Sequence, residues 1–135
     1  MEATELKLRT RKFALTVIAL VEALPKDETS RVLGRQLLRS GTSVGANYRS
    51  ARRARSNADF ISRMGIVEEE ADECGYWLEL LTESGKVPAA KSAALLKEAD
   101  ELVAIAVASI NTARGGTRET RSAERGTRNA PRGEP

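Results

Sequence analysis

Arg39–Leu81, RSGTSVGANYRSARRARSNADFISRMGIVEEEADECGYWLELL, joins a run of small residues, an arginine cluster and an acidic run on a single apolar rhythm. After Ser56 its apolar residues step by three and four through Ile61, Met64, Val67, Ala71, Cys74, Leu78 and Leu81. That spacing marks one stripe of a helix. The deciding stretch is Ser40–Asn47, SGTSVGAN, which local propensity alone would break. Each interior glycine there costs about 1 kcal/mol relative to alanine. The apolar period nevertheless carries from Leu33 and Leu37 through Val44 to Tyr48 and Ala51 without a phase shift. A continuous helix is therefore expected, with Gly41 and Gly45 where a neighbouring helix comes close.

Working outward, the second helix is expected over about Ser30–Arg55 and the third over about Asn57–Thr82. Ser56–Asn57–Ala58–Asp59 is a helix start, a serine cap followed three residues later by an acid. Gly85 is the expected left-handed terminator of the third helix. Upstream, Leu6, Phe13, Val17, Leu20, Val21 and Leu24 give a first helix over about Glu5–Leu24, ended by Pro25, with Thr29 or Ser30 capping the second helix. Downstream, Val87–Pro88 opens a fourth helix whose apolar face is Leu95, Leu96, Ala99, Leu102, Val103, Ala106 and Ile110. Gly115–Gly116 is expected to stop it. Residues 1–113 thus read as an all-α, antiparallel up-down-up-down four-helix bundle. Residues 114–135 are Arg-rich without a large apolar residue, so they are expected to be a disordered tail.

Composition narrows the function classes. The chain has 135 residues, 41% apolar and 30% charged but only 4% aromatic, which suits one helical core. It holds no histidine, which removes the commonest general base and metal ligand. Its one cysteine, Cys74, excludes an internal disulfide and fits a reducing cytoplasm. No apolar run follows a basic start, so no secretory signal is expected. Phe13–Leu24 and Leu102–Ile110 are too short to span a bilayer, so no membrane association is expected. The net charge of +3 conceals a polarised chain. Residues 1–55 hold 12 Lys/Arg against 5 Asp/Glu, while residues 56–113 hold 4 against 11. Such a chain can pair its halves internally, pair across subunits, or present a basic face to nucleic acid.

The glycine run is not a phosphate loop, because Gly45 is followed by Ala46 and Asn47 rather than by Lys and Ser/Thr, and no strand precedes it. The acidic run Glu68–Glu73 lacks the histidines that a di-metal bundle requires, so neither a metal nor another cofactor is expected. Glu69 and Glu73 are expected on a solvated or partner-facing side, and Glu70 and Asp72 within reach of arginines on a neighbouring helix. Arg49, Arg52 and Arg53 lie at i, i+3, i+4 on one face, Arg55 points elsewhere, and Arg31, Arg35 and Arg39 extend the strip. These arginines either contact phosphates or pair with the acidic third helix, within or between subunits. Few aromatics are available for base stacking, so nucleic-acid binding would rest on shape and charge. Tyr76 and Trp77 are expected at an interface, since Trp77 falls off the stripe through Cys74, Leu78 and Leu81. Cys74 lies on that stripe and reads as an inert core thiol.

QLLRSGTSVGANYRSARRARSNADFI followed by EEADECGYWLELL resembles the bacterial four-helix-bundle proteins first met as reading frames inside intervening sequences of 23S ribosomal RNA genes. The accessory variability protein of diversity-generating retroelements is a more distant relative. The resemblance covers roughly Phe13–Ile110 and implies an antiparallel four-helix bundle assembling as a homopentamer. In the retroelement relative, a basic outer surface is implicated in binding nucleic acid and the reverse transcriptase. Carried onto this chain, it implies basic positions Arg49, Arg52, Arg53 and Arg55, and acidic positions Glu70, Asp72 and Glu73. Ser50 stands where the family commonly has an acid, Glu69 where it has a lysine, and Cys74 where it has a threonine or serine. The expectation is a non-enzymatic homo-oligomer that binds RNA or other nucleic acid through its second helix, with Arg39 joining the basic positions. The alternative is a protein-interaction scaffold whose arginines form salt bridges. Gly41, Gly45, Tyr48, Tyr76, Trp77, Glu70, Asp72 and Glu73 are the expected helix or subunit interface residues.

Overall fold

The computed structural model describes residues 2–128, with side chains over residues 2–115. Four helices succeed one another: α1 (Ala3–Glu22), α2 (Glu28–Arg52), α3 (Asn57–Glu83) and α4 (Ala89–Arg128). Cross-helix bonds show their antiparallel order. The Tyr48 hydroxyl, near the end of α2, donates to the Ala3 carbonyl at the start of α1 (3.2 Å). Asn57 Nδ2, at the start of α3, donates to the Ala113 carbonyl on α4 (2.9 Å). Each helix packs on the next, and α1 meets α4 more sparingly. There Arg9 forks onto Glu98 at 2.7 and 2.8 Å and reaches Glu101 at 2.6 Å.

The stripes expected from the apolar period form the core. Phe13 and Val17 of α1, Leu37 and Val44 of α2, Met64, Leu78 and Leu81 of α3, and Leu102 of α4 are fully buried. α2 runs unbroken through Ser40–Asn47, and its glycines face α1. A Cβ at Gly41 would stand 2.8 Å from Val17 Cγ1, and one at Gly45 would stand 3.3 Å from Thr10 Oγ1. The missing side chains let the two backbones approach.

Helix ends depart from expectation in three places. α2 is capped by Asp27, not Thr29 or Ser30: its carboxylate accepts from the Ser30 backbone N–H at 2.8 Å. That bond, with help from Lys86 Nζ at 3.3 Å, holds the Asp27 carboxyl below its ordinary range. A carboxylate also suits the positive end of the helix better than a hydroxyl does. α2 ends at Arg52 rather than Arg55, because Arg53 N–H and Ala54 N–H close back three residues onto Ser50 and Ala51. Ser56 then caps α3, accepting from Asp59 N–H at 3.0 Å, as expected. Finally, α4 does not stop at Gly115–Gly116 but continues to Arg128. A glycine terminates a helix by turning left-handed, as Gly85 does after α3 (φ 79°), where Lys86 N–H returns to the Leu81 carbonyl. Gly115 stays helical, and a weakened helix propensity is not by itself a stop. The rest of the expected tail, residues 129–135, lies outside the described residues.

Cys74 is fully buried, with its thiol donating to Ser40 Oγ at 3.4 Å. Burial pushes the thiol up to about 11, outweighing the Ser40 bond. Because the thiolate is the reactive form, native protein at neutral pH should resist iodoacetamide and react stoichiometrically once unfolded in guanidinium. Mass spectrometry checks this; full alkylation of the folded chain at the rate of a free thiol would contradict the burial. Among the described residues, no helix is long and apolar enough to cross a membrane.

Candidate nucleic-acid interface

The last turns of α2 carry Arg49 and Arg52, and Arg53 caps the helix. Alongside them runs α1, whose Lys7 and Arg11 stand four residues apart on one face. Because Gly45 brings α1 and α2 together, these side chains border a common groove of about 490 Å³. Its floor is made of small or buried residues, Ala14, Gly45, Ala46 and Tyr48, with Thr10 and Thr42 beside them. Among the described residues, no carboxylate lines it. All five cations are exposed, and among the described residues none has a carboxylate at ion-pair distance. Tyr48 is 5% exposed, and burial raises its hydroxyl pKa while Arg52 pulls the other way. It forms floor rather than a stacking platform.

Arg39 takes no part in the groove. Its guanidinium bonds Glu70 at 3.1 and 3.3 Å and also reaches Glu73. Glu70's charge is the main reason that Arg39 is held even more firmly protonated than usual. Glu70 thus meets an arginine of the neighbouring helix as expected. Glu73 does so too while its side chain stays 43% exposed, because it lies three positions beyond Glu70 on the same side of α3. Asp72, two positions from Glu70, points away and is exposed, so it does not meet an arginine. Glu69 is exposed as well. Among the described residues no group of His, Cys, Asp and Glu is placed to hold a metal ion.

Arg55 lies in the turn between α2 and α3, exposed and off the groove. Tyr76 is 54% exposed on α3, and Trp77 is half-buried against the core. Their rings meet edge to face at 5.0 Å, and among the described residues Trp77 Nε1 is buried without a partner. Lys7 and Arg11 are the members of the groove that sequence reasoning missed. The signal was the run Lys7–Lys12, KLRTRK, whose cations at i, i+4 share a face.

The described residues define an all-α antiparallel bundle with a cationic groove between its first two helices. The chain belongs to the 23S rRNA-intervening sequence protein family, whose model matches residues 2–108, a span that holds the whole groove. It is similar to the crystal structure of a protein of unknown function from the S23 ribosomal protein family of Bacteroides thetaiotaomicron. The two are 33% identical, with 82% of this chain and 99% of that one covered and a TM-score of 0.77. No curated protein matches the chain.

Proposed function

We propose that this chain is a non-enzymatic RNA-binding protein that works through the basic surface at the end of α2. The observation that carries the reading is the set Arg49, Arg52 and Arg53, exposed in a groove that no carboxylate lines among the described residues, while Arg9 and Arg39 are neutralised by acids. The family is named for reading frames inside intervening sequences of 23S rRNA genes, and structured RNA is the polyanion proposed here. Binding of phosphates by arginine releases counterions, so affinity must fall with salt. Fluorescence anisotropy with a labelled structured RNA should show log K falling linearly with log salt. Arg49, Arg52 and Arg53, at about 0.9 per phosphate contact, should together contribute about 2.7 to the steepness of that line. Absence of binding by the wild-type chain at about 50 mM salt would overturn the reading.

A second reading, a homo-oligomer or protein-interaction scaffold, is favoured by Leu8 and Leu15 on α1, exposed at 61% and 58% and seven residues apart on its outward face. A homopentamer is the assembly proposed for it, in the cytoplasm, where a free thiol persists. A monomer in light scattering at micromolar concentration would contradict that assembly.

A further inference from the structure

We infer that the α1–α2 groove seats the phosphate backbone of a base-paired nucleic acid, with Lys7 and Arg11 forming one wall and Arg49, Arg52 and Arg53 the other. The inference rests on the RNA-binding reading and adds to it a second helix and a ligand conformation.

The charge arrangement is the first argument. Elsewhere this chain neutralises its partly buried or interhelical arginines with carboxylates: Arg9 with Glu98 and Glu101, Arg39 with Glu70 and Glu73. In the groove five cations converge without an acid among the described residues, which costs self-repulsion that a polyanion relieves. The shape is the second argument. Gly45, Ala46 and Ala14 keep the floor free of long side chains, so a strand of phosphates can lie between the two rows of cations.

The ligand's conformation is set by a feature the floor lacks. Proteins that hold single strands stack the bases on exposed aromatic rings. The groove's one aromatic, Tyr48, is 5% exposed and its hydroxyl is committed to the Ala3 carbonyl. A duplex needs no such platform, because its bases already stack on each other and its phosphates face outward. An apolar anchor of a protein partner would be seated between five cations that it cannot pair, so a polyanion suits the groove better. With phosphates as the shared ligand, base-paired RNA and base-paired DNA both fit; sequence is not read.

The test uses the full chain and three labelled probes of equal length: an RNA duplex, a DNA duplex of the same sequence, and one of the RNA strands alone. Both duplexes should bind more tightly than the strand, and changing their sequence should leave affinity unchanged. Lys7→Ala with Arg11→Ala should flatten the plot of log K against log salt by about 1.8, roughly a 60-fold loss of affinity at 0.1 M. Ala46→Glu keeps every cation but adds an acid to the floor, and should weaken duplex binding tenfold or more. All three positions are exposed, so melting curves should match the wild type. An unchanged salt slope in the Lys7/Arg11 variant, with binding still lost in Arg49/Arg52/Arg53 variants, overturns the two-helix groove and leaves the RNA-binding reading standing. Tighter binding of the single strand overturns the base-paired ligand. A groove variant that changes the assembly's mass but not its RNA affinity makes the groove a subunit contact and overturns the inference. No binding of any probe by the wild type overturns the parent reading itself.

Discussion

Gly41→Leu is expected to lower the free energy of unfolding by about 3 kcal/mol, the upper part of the usual range for overpacking. Even a lone Cβ at this position would stand 2.8, 3.0 and 3.1 Å from the three branching carbons of Val17. Val17 is fully buried and β-branched, so in a helix it has essentially one rotamer and cannot swing aside. The remaining response is to separate α1 from α2, which uncovers Phe13 and Leu37 near the middle of the core. Gly65→Ala and Gly75→Ala supply the contrast. A Cβ at either meets nothing within 4 Å, so each should stabilise α3 by about 1 kcal/mol through helix propensity alone. Guanidinium titrations followed by circular dichroism measure all three. A Gly41→Leu chain as stable as the wild type would mean that α1 does not pack on the glycine seam.

The same seam marks how far the sequence could be read. Burial recurs every three to four residues in a helix, so unbroken phase from Leu33 to Tyr48 was enough to carry α2 across Ser40–Asn47. Phase identifies a face but not its neighbour: that Gly34, Gly41 and Gly45 look at α1 emerges only when the helices are assembled. Helix ends were legible where one local bond decides them, as at Ser56 and Gly85. They were less so where several small terms compete, as at Asp27, Arg52 and Gly115–Gly116. The arginines divide along the same line. Arg31, Arg35 and Arg39 are equivalent by spacing, yet Arg39 alone of the three sits level with Glu70 and Glu73 on α3, whereas Arg31 pairs with Glu28 on its own helix. Lys7 and Arg11 lie about forty residues from Arg49 along the chain, and only the antiparallel return of α2 brings the two sets to one groove.

Replacing Arg49, Arg52 and Arg53 together by Glu should abolish RNA binding. Three phosphate contacts at about 0.9 each correspond to roughly a 500-fold loss at 0.1 M salt, before repulsion by the new carboxylates is counted. The cost to the fold should be small by comparison. The three side chains are exposed and have no acidic partners among the described residues, so what is lost is their favourable interaction with the C-terminal end of α2, about 0.3–1 kcal/mol for each charge in the last turn. Arg39→Glu should do the reverse. It places an acid against Glu70, whose side chain is 14% exposed, and Glu73, so it should lower the melting temperature while leaving RNA affinity near the wild-type value. Crossed results of this kind separate the arginines that hold the bundle from those that face a ligand. Anisotropy and thermal melts on the two variants read both axes, and light scattering on the triple variant adds the third. If the triple variant stays folded, keeps its RNA affinity and falls apart into smaller species, these arginines join subunits, and the scaffold reading replaces the RNA-binding one.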